Sequence, residues 1–391
     1  MDAHTLAGQY RHALLEDVLP FWERHGLDRE HGGYFSCLDR EGHVYDTDKF
    51  TWLQARQAWT FARFYNSIEP RPAWLQIARH GIDFLRAHGR DGNGHWYFSL
   101  TREGDPLTEP FSIFSDCFAA MAFSQYALAS HDDSARTIAL ETFRSILERK
   151  EHPRGRFAKA VGWTRPLRPF AIPMILLNLV FELEGILEGA EIEATARECV
   201  ADMERLFLDR TLGVFRESVA PDGAAVDSFE GRLINPGHGI EGTWFLIDAA
   251  VRLGEKRLIA VATEALLRTL EFGWDPEHGG IFYFLDADGR PPVQLEWDQK
   301  LWWVHLETLV ALAMAYRHTG DERCRAWYDR VHEYSWARFP DPEFGEWWGY
   351  LNRTGEVLLP IKGGKWKGCF HVPRALHRCW KTFEELAAHH E

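Results

Sequence analysis

Apolar residues recur with helical spacing in several long stretches of the chain, among them 52–65, 172–187 and 308–318. Short segments rich in glycine and aromatic residues separate these stretches. A pair of glycines that brackets an alternating aromatic run is typical of a short β-hairpin or an extended loop. The pattern therefore predicts a mainly helical protein whose helices are joined by hairpins.

The hairpin segments recur at intervals of 58 to 67 residues. Each has a glycine followed two positions later by Phe or Trp, and these glycines are Gly33, Gly94, Gly155, Gly213, Gly280 and Gly345. In five units a second glycine follows after nine or ten residues: Gly42, Gly104, Gly223, Gly289 and Gly355. The third unit lacks it and is predicted to be irregular there.

Each interval is long enough for two helices and a hairpin. Six such units close into an (α/α)6 barrel, with six inner and six outer helices and the hairpins at one end. An open solenoid is the alternative, but no unit has the polar outer face of a capping repeat. No Pro/Ser-rich linker divides the chain. We therefore predict an all-α fold with one catalytic domain over 1–391.

Charge and cysteine content exclude some classes of partner and indicate a cellular location. The formal net charge of −14 argues against nucleic acid or an anionic membrane as partner, because both need a basic surface. The first 18 residues are polar and amphipathic, and no apolar run reaches the length of a membrane span. Six scattered cysteines without a Cys-x-x-Cys pair indicate reduced thiols and a cytoplasmic location.

The aromatic content points to a ligand class. The chain has 17 Trp, 26 Phe and 11 Tyr, many of them near glycine and polar residues. Aromatic rings present a large apolar face, which suits the C–H faces of sugars. A large aromatic core is the alternative explanation of the same composition.

Residues with chemically useful side chains share one window of the repeat. Counted from the first glycine of each unit, they fall 21 to 27 positions later, near the start of the helix after the hairpin: Arg56, Ser115, Asn178, His238, Trp303, Glu307 and His371. Equivalent positions of a closed ring lie at the same end. We therefore expect these side chains to converge on one mouth of the barrel.

The densest motif is 235–244, which ends at Trp244. Asn235 as N-cap and Pro236 as first helical residue mark a helix start. His238 then lies in the first turn, where the helix dipole favours the neutral imidazole. Glu241 shares its helix face and can orient it. This arrangement suits a general base, although a surface capping arrangement gives the same pattern.

Three further segments supply candidate groups. Trp52 and Arg56 are one helical turn apart, and the guanidinium can hold an oxyanion or form a structural ion pair. Trp303 and Glu307 share a helix face, and we expect one ring of the pair 302–303 in the core and the other as a sugar platform. The glycine- and lysine-rich run 362–374 lacks Walker A spacing and is predicted to carry His371 into the mouth. Its cysteine at position 369 is either reactive or buried and inert.

These motifs resemble the N-acylglucosamine 2-epimerase family, which includes the animal renin-binding proteins. The resembling stretches are 31–35, 49–59, 113–118, 173–180, 235–246, 273–276, 294–307 and 341–374. The resemblance implies an (α/α)6 barrel and epimerisation at C2 of a reducing sugar. It also implies that His238 and His371 are the two acid/base groups, with Glu241 supporting His238.

The same resemblance implies the remaining site roles. Arg56 would steady an enediolate, and substrate contacts would come from Trp303 and Glu307. Further substrate-binding candidates are Trp52, Ser115, Asn178 and Trp244. Neither a metal ion nor a redox cofactor is required by such chemistry. Some members of the family respond to ATP, and activation of this chain by ATP, like a homodimeric state, is left open.

The substrate is either the pair N-acetylglucosamine/N-acetylmannosamine or the pair glucose/mannose. The stretch 173–180 resembles the N-acylglucosamine branch, whereas the cellobiose 2-epimerase branch usually carries a histidine there. Four alternatives remain: an aldose–ketose isomerase acting on mannose, an inverting hydrolase using Glu241 and Glu307, a non-enzymatic binding protein, and a metal site formed by His238, Glu241 and His371.

Overall fold

A computed structural model describes residues 2–159, 161 and 163–388 of the chain. In chain order its α-helices are α1 (Ala3–His12), α2 (Leu19–His25), α3 (Thr51–Ser67), α4 (Pro72–His88), α5 (Phe114–Ser130), α6 (Asp133–Arg149), α7 (Ala171–Glu182), α8 (Gly189–Asp202), α9 (Phe229–Arg232), α10 (Pro236–Leu253), α11 (Lys256–Gly273), α12 (Trp302–Thr319), α13 (Glu322–Arg338) and α14 (His371–Ala388). One π-helical segment, Ala13–Val18, joins α1 to α2, and another, Met203–Phe207, extends α8.

The strands are two or three residues long. They are β1 (Cys37–Leu38), β2 (Val44–Asp46), β3 (Lys49–Phe50), β4 (Ser99–Leu100), β5 (Pro106–Thr108), β6 (Arg168–Pro169), β7 (Leu208–Asp209), β8 (Val214–Phe215), β9 (Ser218–Val219), β10 (Leu233–Ile234), β11 (Leu285–Asp286), β12 (Lys300–Leu301), β13 (Tyr350–Leu351) and β14 (Val357–Leu359). All the pairs between these strands are antiparallel, in the sheets β1–β2, β3–β4–β5, β6–β9, β7–β8, β10–β11 and β12–β13–β14.

The helices form two concentric rings. Helices α3, α5, α7, α10, α12 and α14 pack side by side in that order as the inner ring, and each packs on an outer helix: α4, α6, α8, α11, α13 and α1 respectively. The Thr60 hydroxyl of α3 donates to the Cys369 carbonyl at 2.9 Å, which joins α3 to the segment before α14. The predicted (α/α)6 barrel is therefore confirmed over the described residues.

The distribution of apolar residues explains which helices form the inner ring. Almost every residue of α7 is apolar and buried, because an inner helix is covered on all faces. The outer helix α4 buries only one face, led by Trp74, Ile77, Ile82 and Leu85. One hydrophobic cluster runs from Leu6 to Phe383, which supports the proposal of a single domain. Of the proposed range 1–391, residues 1, 160, 162 and 389–391 lie outside the described residues.

The repeated glycines lie where the chain must turn sharply. The six first glycines have φ between 45° and 82°, and the five second glycines also have positive φ. At Gly42 an added Cβ would come within 2.4 Å of the His25 ring, so this position has no room for a side chain either. The third unit forms a 3₁₀ turn at Gly155–Phe157, in line with the predicted irregularity.

Buried ion pairs tie neighbouring hairpins together. Each of three aspartates receives a fully buried lysine and an arginine, in the sets Asp28–Lys49–Arg102, Asp275–Lys300–Arg353 and Asp341–Lys362–Arg40. In the last set Arg40 of the first unit donates to Asp341 of the last at 2.9 Å. The hairpin layer therefore closes between the chain ends, as the helical ring does.

Two local results complete the fold. The helix predicted over 172–187 ends at Glu182, because Gly185 with φ of 87° turns the chain towards α8. No helix among the described residues is long and apolar enough to cross a membrane.

Candidate active site

A cavity of about 620 Å³ lies at the N-terminal ends of the inner helices. Trp52 and Arg56 of α3 reach it, as do His238 and Glu241 of α10. The start of α12 contributes Trp302 and Trp303, and α14 contributes His371 and Arg374. Several residues from the predicted window of the repeat thus meet in one place.

His238 is positioned by the start of α10. The Asn235 side chain accepts a hydrogen bond from the His238 backbone N–H at 3.2 Å, as expected for an N-cap. The imidazole Nδ1 lies 2.9 Å from Oε2 of Glu217, which follows β8. Burial lowers the pKa of His238, but the charge and hydrogen bond of Glu217 outweigh it, and the pKa is raised overall. His238 therefore holds its proton to higher pH than an ordinary histidine.

This geometry corrects two sequence expectations. Glu241 does not orient His238, because the Nδ1 partner is Glu217 and the Glu241 carboxylate accepts from Arg374, but the charge of Glu241 helps to raise the pKa of His238. The helix dipole also does not decide the protonation of His238. A full carboxylate charge at hydrogen-bond distance is stronger than the partial charge of a helix end.

His371 is the first residue of α14 and has the opposite character. Its Nδ1 lies 2.8 Å from Oε1 of Glu307. Burial, followed by the cations of Arg374 and Arg56, lowers the pKa of His371 well below the usual value. His371 is therefore neutral at pH 7. With Nδ1–H donating to Glu307, its unprotonated Nε2 is the nitrogen available as a base.

A buried arginine holds the carboxylates behind His371. Arg374 donates to Oε1 of Glu307 at 2.7 Å and also to Glu241. The two carboxylates and His371 are close enough together to hold a metal ion. The Arg374 guanidinium donates to both carboxylates and so already provides a cation between them.

Trp303 contacts both histidines. Its ring centroid is 5.4 Å from that of His238 and 5.8 Å from that of His371. The imidazoles are therefore no farther apart than these two distances together. An added Cβ at Gly237 would lie 2.6 Å from the Trp303 ring, so this glycine permits the close approach of α10 and α12. Both Trp302 and Trp303 reach the cavity, rather than one of them alone.

Arg56 is a cation enclosed by aromatic rings. Its guanidinium carbon lies 4.6, 4.0 and 4.7 Å from the ring centroids of Trp52, Phe118 and Phe370. Its Nε is buried without a hydrogen-bond partner among the described residues. Burial, followed by repulsion from Arg374, lowers the pKa of Arg56 to about 9. The structural ion-pair alternative is therefore wrong, and the guanidinium is available for an anionic ligand.

Four predicted substrate contacts do not line the cavity. Glu307 is 0% exposed and accepts a hydrogen bond from Trp244 Nε1 at 2.8 Å. Glu307 therefore contacts His371 directly, and Trp244 holds Glu307 in place. Ser115 is buried, and its neighbours Phe114 and Phe118 reach the cavity instead. Asn178 is one turn beyond the cavity residue Met174. The common window in the repeat fixed the height of these positions in the barrel but not the direction of each side chain.

Sequence reasoning missed two groups. Glu217 precedes the window, four residues after Gly213, where only the hairpin pattern was considered. Arg374 stands three residues after His371, the same spacing as between His238 and Glu241, and this symmetry could have drawn attention to it. The buried thiol of Cys369 is inert, because burial raises its pKa well above the usual value.

Replacing Glu217 by glutamine is expected to lower the pKa of His238. The amide keeps the size of the side chain but loses the charge that stabilises the imidazolium. Any step that needs protonated His238 should then fail at a lower pH than in the wild type, so the alkaline limb of the pH–rate profile moves to lower pH. Histidine NMR titration of both forms measures the shift. An unchanged His238 titration would contradict the assignment of Glu217.

Comparisons with known proteins show the family of the chain. The family model "N-acylglucosamine 2-epimerase (GlcNAc 2-epimerase)" matches residues 33–375. The N-acylglucosamine 2-epimerase of Bos taurus is 41% identical over 95% of this chain and 90% of its own length. The human enzyme of that name is also 41% identical, over 93% and 87%. A mannose-6-phosphate isomerase of Rhizobium meliloti (strain 1021) is 26% identical over 77% and 79%.

Solved structures share the fold. The cellobiose 2-epimerase of Bacillus thermoamylovorans B4167 superposes with a TM-score of 0.83 at 20% identity, covering 98% of this chain and 100% of that one. A D-mannose isomerase gives 0.82 at 20% identity, covering 96% and 98%.

The fold and these relatives define a carbohydrate epimerase, an enzyme of the isomerase class. The chain belongs to the N-acylglucosamine 2-epimerase family.

Proposed function

We propose that this sugar 2-epimerase interconverts N-acetylglucosamine and N-acetylmannosamine by a two-histidine mechanism. The observation that carries the proposal is the pair of imidazoles that line one cavity and both contact Trp303, one with a raised and one with a lowered pKa. One histidine thus begins as the acid and the other as the base. The N-acetyl pair is preferred over glucose/mannose because the relatives at 41% identity are named N-acylglucosamine 2-epimerases.

The reaction requires a proton to leave one face of C2 and another to arrive on the opposite face. In the open-chain aldehyde form, neutral His371 takes the C2 proton on its Nε2. The electrons of the C–H bond form a C1–C2 double bond, and negative charge develops on O1. Protonated His238 then delivers a proton to the other face of C2. In the opposite direction the two histidines exchange roles.

Arg56 is placed to stabilise the charge on O1. It lines the same cavity as both histidines, and its guanidinium has no carboxylate partner among the described residues. A buried, preorganised cation interacts strongly with charge that develops during the reaction, because little water screens it. Glu217 and Glu307 each hold an Nδ1, which leaves both Nε2 atoms directed to the substrate.

The exchange of hydrogen with solvent tests this mechanism. In D2O we expect deuterium at C2 of both N-acetylglucosamine and N-acetylmannosamine as they interconvert, because both protons pass through imidazoles open to solvent exchange. Mass spectrometry and NMR of the two epimers give the result. Epimerisation with retention of the original C2 hydrogen would rule out deprotonation. Free mannose, glucose and cellobiose in parallel assays identify the preferred 2-substituent.

Aldose–ketose isomerisation is the second candidate. It begins with the same removal of the C2 proton, which in a 2-hydroxy sugar such as mannose gives an enediolate, but it returns the proton to C1; a relative at 26% identity is named a mannose-6-phosphate isomerase. Product analysis with mannose separates the reactions, since a dominant ketose would replace the epimerase proposal.

The remaining alternatives have less support. Glu241 and Glu307 are both bonded to Arg374, which leaves neither as the free acid that an inverting hydrolase needs. Full activity after treatment with EDTA is expected, because Arg374 supplies the charge between these carboxylates. Loss of activity that Zn²⁺ or Mn²⁺ restores would revive a metal site. Membership of a family of epimerases argues against a purely binding role. Activation by ATP, a homodimer and a cytoplasmic location stay predictions for direct measurement.

A further inference from the structure

A second cavity of about 250 Å³ lies farther along the inner helices than the active-site cavity. It starts about two helical turns beyond the catalytic residues, since Arg63 follows Arg56 on α3 and Arg378 follows His371 on α14 by seven residues each. At 1.5 Å per residue this is a separation of about 10 Å. Arg374 and Trp244 line the second cavity.

Basic side chains converge in this cavity. Arg63 enters from α3, and His377, Arg378 and Lys381 enter from α14. Burial, followed by the cations of Arg378, Arg63 and Lys381, lowers the pKa of His377 to about 3, and its Nε2 is buried without a hydrogen-bond partner among the described residues. Burial and repulsion from Arg63 also outweigh the neighbouring carboxylates and lower the pKa of Arg378.

Two carboxylates, Glu182 and Glu385, also line this cavity, and each has a partner, as does the nearby Asp248. Glu182 accepts from Trp59 Nε1 at 2.9 Å, and Glu385 pairs with Arg317 at 2.9 Å. Asp248 accepts from Arg252 at 3.0 Å and is 3.9 Å from Arg378. Arg63 has no ion pair within the part of the chain that the structure describes. The cavity therefore keeps an excess of positive charge. Charged groups that are withdrawn from water are normally paired with an opposite charge.

We propose that this second cavity binds a phosphate group through Arg63 and Arg378. Guanidinium groups bind tetrahedral oxyanions with two parallel hydrogen bonds each, and Lys381 at the rim adds a third cation. The volume is below the roughly 300–1,000 Å³ of pockets for organic ligands, so it suits one phosphate group and not a nucleotide. Free phosphate and the phosphate of a small monoester share this chemistry.

Such an anion would act on the active site through Arg374. This residue lines both cavities and donates to Glu307, the partner of His371. Added negative charge favours the protonated imidazole. If the proposed function holds, bound phosphate therefore moves the acid limb of the pH–rate profile to higher pH.

Calorimetric titration of the full chain with inorganic phosphate, and separately with ethyl phosphate, in 100 mM chloride tests the site. We expect binding by the wild type and a Kd at least about tenfold weaker for Arg63→Gln and Arg378→Gln. Arg144→Gln removes an exposed arginine of α6 and should bind as the wild type does. Binding of inorganic phosphate alone would identify the free ion as the ligand, and binding of both would identify the phosphate group.

Two outcomes would overturn the proposal. One is the absence of any heat of binding. The other is the same Kd for Arg63→Gln and the wild type, because phosphate would then bind at another cation such as Arg56. Should either arginine variant fail to fold, Lys381→Gln carries the test and should also weaken binding, because the Lys381 side chain is partly exposed and its ion pair, with Glu384, lies at the surface. The titration needs no sugar turnover, so its failure leaves the epimerase proposal untouched, and failure of deuterium exchange leaves this one untouched.

Discussion

The variant His371→Asn is expected to lose about 10³-fold in kcat/KM while keeping its fold. Asparagine cannot accept the C2 proton, and a positioned acid/base group contributes roughly 10²–10⁴-fold. The fold should survive because the Asn amide can donate to Glu307 in place of Nδ1. Turnover of N-acetylmannosamine and circular dichroism measure the two effects.

Deuterium exchange makes this prediction specific. With one base removed, the remaining histidine still faces one side of C2. His371→Asn should therefore exchange the C2 hydrogen of one epimer without inverting it, and His238→Asn should do so for the other epimer. Exchange of the same epimer by both variants would contradict opposite placement of the histidines.

A histidine outside the cavity supplies the control. His131 ends α5 in the left-handed conformation with φ of 59°, which asparagine tolerates. His131→Asn should therefore match the wild type in turnover and exchange.

The variant Glu307→Gln is expected to lower the free energy of unfolding by about 3 kcal/mol, because it removes a buried charge that Arg374 binds together with Glu241 and leaves a buried donor without an acceptor. Both Glu307 oxygens accept hydrogen bonds, from Arg374 and His371 on one side and Trp244 on the other. The amide replaces one acceptor by a donor, so a buried N–H must face another N–H. Turnover should fall by about 100-fold as His371 loses its partner.

Urea denaturation and steady-state kinetics measure the two losses. Glu277→Gln is the matched control, since Glu277 makes the same kind of pair with Arg353 but at the surface. Exposed pairs contribute about 1 kcal/mol or less. If both variants lost the same free energy of unfolding, the burial of Glu307 would not be the reason for its loss.

Local patterns made much of the site predictable. The N-cap Asn235 and the proline after it mark the start of α10, so the position of His238 in the first turn follows from a few neighbouring residues. The run 362–370 leads directly into His371, the first residue of α14, as expected for a loop that carries His371 to the mouth. The spacing of Trp52 and Arg56 likewise put them together on one helix.

Some predicted substrate contacts do not line the cavity, because local sequence patterns do not determine which way a buried side chain points. Ser115 and Asn178 were selected by their height in the repeat, but inner helices are covered on every side, so most positions at that height face packed neighbours rather than the cavity. Trp244 and Glu307 lie behind the cavity for the same reason. An apolar stripe cannot tell which side of a fully buried helix faces the axis.

By itself, the sequence determined the six-unit ring, the helix starts and the two histidines, because periodicity, capping and turn glycines act within a few residues. Only the tertiary structure decided that the pKa of His238 is raised and that of His371 is lowered. Glu217 and Glu307 reach them across 21 and 64 positions of the chain. A pKa depends on burial and on charges a few ångströms away. Those neighbours exist only once the ring has closed.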